Sequence, residues 1–248
     1  MNLNVKLYND DCFNIFPQIK DKSIDLILSD PPYGKTAAKW DKVLSFDKLW
    51  VEYKRIIKDN GAIVLFAQQP FTSKLILSNI KMYRYNWYWD KVIGSGSLHV
   101  RFMPMKRFED ICVFYKKKPT YNPIMTPRDP SKIRKTGNFK NPNQTYYGME
   151  VKKQYLYDPE WKYPDNLLQF HAKTGELNSK NRKHPNQKPV ELLEYLIKTY
   201  TNEYETVLDN TMGVGSTGVA AKNLNRHFIG IEKNDIFFSI ANDRIFNS

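Results

Sequence analysis

Residues 207–232 read VLDNTMGVGSTGVAAKNLNRHFIGIE, and this stretch decides the fold. Val207-Leu208 is an apolar strand. Thr217 to Leu224 has helical character, and Phe228 to Ile231 is a second strand. Gly213-x-Gly215-x-x-Gly218 occupies the turn between the first strand and the helix. Glu232 follows Gly213 by 19 residues, at the end of the second strand. Glycines at a strand-to-helix turn, then an acid after the next strand, have the spacing of a nucleotide-binding βαβ unit, with the acid on ribose hydroxyls. Such a glycine pattern alone also occurs for tight packing. Asp209 sharpens the reading. A carboxylate just before the turn would repel a pyrophosphate at the helix N-terminus and attract a cationic amino group. The loop also lacks the lysine of a phosphate-binding P-loop. A ligand with a ribose, an ammonium and no phosphate fits these residues. S-adenosylmethionine (AdoMet) is such a ligand, and NAD is not.

Far upstream, residues 24–34 read IDLILSDPPYG. An apolar strand, Ile24 to Ser29, delivers Asp30 at its end, followed by Pro31, Pro32 and Tyr33. The prolines fix φ and remove two N–H donors, leaving carbonyls as pure acceptors. A carboxylate, acceptor carbonyls and an aromatic face form a rigid cup for a flat heterocycle bearing an exocyclic amino group. The plainer alternative is a strand followed by a Pro-Tyr-Gly turn.

The remaining pattern alternates strands with helices. Val5 to Leu7 reads as a strand. Ser45 to Asp59 reads as a helix, with Phe46, Leu49, Trp50, Tyr53, Ile56 and Ile57 on one face and Asn60-Gly61 as its stop. Ala62 to Ala67 is a buried strand and Phe71 to Asn79 a short helix. Asn86 to Lys91 and Asp110 to Tyr115 read as strands flanking a glycine-rich loop, Gly94-Ser95-Gly96. Val190 to Tyr200 is a helix whose first turn suits Pro189, and Asp235 to Arg244 is the last helix. The expected fold is α/β: a Rossmann-like, mostly parallel sheet with helices on both faces.

The 248 residues are 41% hydrophobic, enough for one large domain or a domain with an insertion. No run approaches the roughly 20 apolar residues of a membrane span, and the N-terminus lacks a signal pattern, so a cytoplasmic protein is expected. Cys12 and Cys112 have no paired spacing and the four histidines are scattered, so neither a disulfide framework nor a metal is expected. The net charge of +12 is unevenly placed: residues 116–183 hold 15 Lys+Arg against 6 Asp+Glu, and the rest 23 against 20. That segment also carries nine aromatics, among them Tyr146, Tyr147, Tyr155, Tyr157, Trp161 and Tyr163. Basic residues interleaved with aromatics suit a polyanion with stackable bases. A solvated basic loop is the alternative.

Taken together, these motifs resemble the amino-methyltransferases that modify exocyclic nitrogens of DNA bases. SDPPYG looks like their catalytic motif in its adenine-type form, DNTMGVGSTGVAA like their AdoMet motif, and FIGIEKN like the acidic strand that follows. HPNQKPVELLEYLI, residues 184–197, resembles the segment closing over the cofactor's methionine end, and LYNDDCFNIF the strand whose aspartate contacts its adenine. The order, catalytic motif before cofactor loop, is the circularly permuted order of the family's β group. The resemblance implies a catalytic half (1–115), a basic target-recognition insertion (116–183) and an AdoMet-binding half (184–248). It implies catalysis at Asp30, Pro31, Pro32 and Tyr33. It places AdoMet against Asp11, Lys188, Asp209, Thr211, Gly213, Gly215, Ser216, Thr217 and Glu232. Double-stranded DNA is the expected partner, with phosphate contacts from Arg101, Lys106, Lys116, Lys117, Lys118, Arg128, Arg134 and Lys135. A homodimer and a companion restriction endonuclease are further expectations of this resemblance. The implied reaction is methylation of adenine N6, with cytosine N4, an RNA or protein nitrogen, or an inactive DNA-binding homologue as alternatives. Two departures stand out: Thr211 where the family usually has Phe, and Asp10 where a glycine often precedes the aspartate. Trp87 and Trp89 read as core rather than stacking residues, and His184 as structural.

Overall fold

The computed structural model describes residues 3–35, 41–132, 145–146, 149–150, 160–172 and 187–247. In chain order the strands are β1 (Val5–Tyr8), β2 (Ile24–Ser29), β3 (Ile57–Ala67), β4 (Tyr83–Ser95), β5 (Lys106–Phe114), β6 (Thr126–Pro127), β7 (Thr145–Tyr146), β8 (Met149–Glu150), β9 (Trp161–Lys162), β10 (Leu167–Gln169), β11 (Thr206–Asp209) and β12 (His227–Ile231). The helices are α1 (Cys12–Ile15), α2 (Phe46–Ile56), α3 (Phe71–Ser78), α4 (Val190–Tyr200), α5 (Ser216–Asn223) and α6 (Asp235–Asn247).

Eight strands form one sheet in the order β1-β12-β11-β2-β3-β5-β4-β10. All neighbours are parallel except β3/β5 and β5/β4. Alternation along the central strands builds two cores, because successive side chains point to opposite faces. Leu26, Leu28, Val64 and Phe66 pack with α4, α5 and α6 through Leu192, Leu196, Ala220 and Ile245. Ile27, Ile63 and Leu65 pack on the other face with Leu49, Trp50 and Tyr53 of α2 and Phe71 of α3. Helices therefore cover both faces, as the near-continuous apolar strands require.

The connections set the site. From β11 the chain crosses through α5 to β12, away from β2. From β2 it crosses through α2 to β3, in the opposite direction. The switch point lies between β11 and β2, and a crevice opens there at the carboxyl ends of the strands. Asp209 and Asp30, each at such an end, are thereby made neighbours.

Two local expectations are corrected. Helix α2 ends at Ile56, before Asn60-Gly61, because Ile57 is already extended and pairs with Ile24. Asn60 and Gly61 lie inside β3. Gly94 and Ser95 belong to a long β4 rather than to a loop, and β5 begins at Lys106. A second compact unit spans Pro123–Asp165, inside the expected 116–183 insertion. Asn122 binds the α4 end through the Lys198 and Thr201 carbonyls, and Leu167–Gln169 pairs with β4, so both flanks belong to the main unit. Within the second unit β6 pairs with β9 and β7 with β8. No helix among the described residues is long and apolar enough to cross a membrane.

Candidate active site

A cavity of about 450 Å³ occupies the crevice, lined by Asp11, Asp30, Pro31, Tyr33, Lys188, Asp209, Thr211, Gly213, Ser216, Thr217 and Glu232 among others. Its volume falls in the range of sites that enclose a small molecule. Residues from both sequence motifs, some 180 positions apart, thus line one space.

At the β11 end, Asp209 is only 3% exposed. Its Oδ1 accepts from Ser29 Oγ at 2.9 Å and from the Thr211 amide at 3.1 Å, and its Oδ2 from Thr217 Oγ1 at 2.6 Å. Burial pushes its pKa up to about 6, against the pull of these donors. The cost of holding that charge unpaired suits a site that receives a cation. Gly213 and Gly215 take φ of +53° and +78°, which carries the chain around the turn into α5. A Cβ on Gly218 would collide with Ile245 Cδ1, so the third glycine lets α5 pack on α6. Glu232 accepts from the Gly213 amide at 3.0 Å and the Asn234 amide at 2.8 Å. Burial raises its pKa against those bonds. Asp11 caps α1, accepting from the Phe13 amide at 3.0 Å.

At the β2 end, the Tyr33 hydroxyl donates to Asp30 Oδ1 at 2.6 Å. The Tyr33 ring rests 5.0 Å from that of Phe71, at a 33° tilt. Lys188 lies 2.5 Å from Asp30 Oδ2 and 3.5 Å from Glu109 Oε2. Glu109 in turn pairs with Lys91 at 2.5 Å. Burial disfavours the Lys188 charge, but Asp30 and Glu109 outweigh it and hold the ammonium above its usual pKa. Burial likewise acts against the Glu109 charge, and Lys188 and Lys91 outweigh it. Asp30 thus ends a chain of alternating charges, Asp30, Lys188, Glu109 and Lys91, all of which line the cavity.

Thr211 ties the two ends together. Its hydroxyl meets Ser29 Oγ at 2.7 Å and donates to the Asp30 carbonyl at 3.1 Å. The position that departs from the family pattern links the catalytic and cofactor motifs by hydrogen bonds.

Sequence reasoning missed Glu109, Lys91 and Ser29. The only signal was an acid pair, Glu109-Asp110, just before the apolar run Ile111 to Phe114. Trp87 and Trp89 are buried, and their indole N–H groups donate to Tyr200 and to the Phe170 carbonyl. Trp89 also lines the cavity.

The expected DNA-contacting residues divide. Lys106 lines the cavity, and Arg101 lies in the neighbouring β4–β5 turn. Lys116 and Lys117 are not brought there. They lie 3.5 Å from Asp59, near the start of β3, because β5 runs antiparallel to β3 and ends beside Ile63. Lys118 follows them in sequence. Arg128 belongs to the second unit, where its Nε donates to the Trp161 carbonyl at 2.9 Å. Arg134, Lys135 and His184 lie outside the described residues.

The donor set fits AdoMet: a buried acid for an ammonium, a second acid with free lone pairs for ribose hydroxyls, and no phosphate-binding lysine in the glycine loop. Comparison with known proteins agrees. A family model described as DNA methylase matches residues 24–243. The Type II methyltransferase M.HpaI of Haemophilus parainfluenzae is 31% identical, over 94% of this chain and 73% of that protein. The Type II methyltransferase M1.MboII of Moraxella bovis is 29% identical, over 96% of this chain and 95% of that one. The crystal structure of the M1.HpyAVI-SAM complex superposes with a TM-score of 0.64 at 26% identity, covering 98% of this chain and 99% of that one. The chain therefore belongs to the DNA methylase family that modifies amino nitrogens, with AdoMet as its methyl donor.

Proposed function

We propose that this chain methylates the N6 amino group of adenine in double-stranded DNA. The observation that carries the reading is Asp30 at the cavity wall, held by Tyr33 and Lys188 next to the acceptor carbonyl of Pro31. AdoMet, when bound, supplies a methyl group activated by a positively charged sulfur. Asp209 would hold its ammonium, Glu232 its ribose and Asp11 its adenine.

The residues at the β2 end act on the target base. The amino nitrogen of adenine is a poor nucleophile, because its lone pair is delocalised into the ring. Its two N–H groups need two acceptors, and the Asp30 carboxylate and Pro31 carbonyl supply them. Those bonds favour a pyramidal nitrogen with a localised lone pair. Asp30 or solvent then takes the proton that the nitrogen sheds. Positioning and acceptor electrostatics carry the rate, with no covalent intermediate on the protein. Pro32 keeps the cup rigid, and Tyr33 presents an aromatic face to the base. A base must leave the duplex to reach this cup.

Asp30 supports adenine over cytosine, since the resemblance associates a serine at this position with cytosine N4. Lys106, which lines the cavity, and Arg101, in the adjoining β4–β5 turn, supply phosphate contacts. Expression in a host free of DNA methylation, followed by nucleoside mass spectrometry of its DNA, tests the reading. N6-methyladenine is expected. N4-methylcytosine would overturn the base assignment alone, and unmodified DNA would overturn DNA methylation as a whole.

A further inference from the structure

The β4–β5 hairpin continues past the sheet. The last β3 pairing is Ala67 with Asp110, whereas β4 and β5 pair on to Asp90 with Phe108 and, past a bulge in β4, again at Ser95 with Lys106. Four residues of strand carry Lys106 about 14 Å beyond the end of β3. The turn from Gly96 to Met105 starts from there, on the side where the cavity opens. Ile93, Ser95 and Lys106 at its base line that cavity.

The turn is built rather than slack. Gly96 takes a φ of +90° and starts a one-turn helix, Ser97–His99. The amides of Phe102 and Met103 then donate to the His99 carbonyl at 2.9 and 3.0 Å. Arg107 clamps the base of the hairpin, with Nε and Nη2 2.5 and 2.7 Å from the two Asp90 oxygens. Asp90 also accepts from the Val92 amide and from Gln169.

On this clamped turn Leu98 is 90% exposed and Phe102 86%. Val100, Met103 and Met105 are about half exposed. Side chains of that size on a structured turn form an apolar patch of the kind that marks an interaction site. No acid occurs from Lys91 to Phe108, a span that holds Lys91, His99, Arg101, Lys106 and Arg107. Arg101 and Lys106 have no carboxylate partner among the described residues. Two copies meeting through this face would set like charges against each other. A polyanion with an apolar interior matches it on both counts.

We propose that this turn is a wedge: Leu98 and Phe102 enter the base stack of duplex DNA where the target base has left, while Arg101 and Lys106 meet the flanking phosphates. This inference rests on the DNA-methylation reading above. Extruding a base leaves a gap between neighbouring pairs, and apolar side chains that fill such gaps keep the duplex open.

The test uses the whole protein and its own recognition site, mapped by sequencing DNA that it has methylated. Two duplexes carry that site, one with the target adenine paired and one with it opposite an abasic position. In the Leu98→Ala/Phe102→Ala protein, the single-turnover rate on the paired duplex should fall about tenfold or more, with little change on the abasic one. Both side chains lie in solvent, so thermal unfolding should be unchanged. 2-Aminopurine at the target position should brighten with the wild-type protein and not with the variant. Equal losses on both duplexes, or none, would overturn the wedge. So would a variant that turns a wild-type dimer into a monomer in sedimentation, which would assign the turn to a second copy. Wild-type protein that methylates no DNA, leaving no site to map, would instead overturn the reading on which the wedge rests.

Discussion

Replacing Asp209 with asparagine should change how stability depends on pH, by an amount the structure sets. The Asp209 pKa moves from the ordinary 3.8 to about 6 in the folded protein, chiefly through burial. The folded chain therefore holds this proton more tightly than the unfolded chain does. Between the two values the native state binds more protons, so the contribution of Asp209 makes stability fall as pH rises. A shift of roughly 2 units corresponds to ~3 kcal/mol, present below about pH 4 and lost above about pH 6. The asparagine amide does not titrate. The assay is urea unfolding of both proteins without cofactor at half-unit steps from pH 4 to 8. The stability of Asp209→Asn minus that of wild type should climb by ~2 kcal/mol from pH 4 to 6 and level off by about pH 7. Any constant offset from altered hydrogen bonds with Ser29 and Thr217 leaves that climb untouched. Parallel profiles would refute the argument that a buried, uncompensated carboxylate waits at the end of β11. The variant should also bind AdoMet more weakly at pH 7.5, because the cation it receives has lost its partner.

Other outcomes follow from the same geometry. Lys188→Met should slow single-turnover methylation by about tenfold or more, since Asp30 loses the cation that orients Oδ2, while AdoMet affinity by calorimetry stays within about twofold. The reverse pattern would place Lys188 on the cofactor carboxylate. Tyr33→Phe keeps the ring and removes the 2.6 Å hydrogen bond to Asp30, so kcat/KM should drop by about tenfold, the equivalent of one hydrogen bond to a charged group; an unchanged value would remove Tyr33 from the positioning of Asp30. Arg101→Ala/Lys106→Ala should lower the slope of log DNA affinity against log salt by about 2. Lys116→Ala/Lys117→Ala, near the start of β3, should leave it nearly unchanged. Equal effects in these two proteins would contradict a DNA path across the cavity mouth.

Much of this architecture is legible in the sequence because its signals are local. The apolar run 24–29 ending in Asp30, and the strand, glycine turn and helix of 207–224, each fix their own geometry. The parallel order then follows from alternation. What escapes is contact across long separations. Nothing near Lys188 indicates that it meets Asp30, 158 residues away, or that Glu109 stands behind both. Thr211 looks like a lost packing contact, yet its hydroxyl bonds Ser29 and the Asp30 carbonyl. Asn60-Gly61 is a good helix stop by composition, but pairing of Ile57 with Ile24 ends the helix before it is reached. Basic composition likewise groups Lys116 and Lys117 with Lys106, whereas the direction of β5 sends them to opposite ends of the strand.

The most direct measurement is methyl transfer by purified wild-type and Asp30→Ala proteins, side by side, from labelled AdoMet to mixed-sequence duplex DNA, read by nucleoside mass spectrometry. The account predicts labelled N6-methyladenine from the wild type and none from the variant, with AdoMet bound by both. Label on cytosine N4, or undiminished labelling of adenine by the variant, would contradict it.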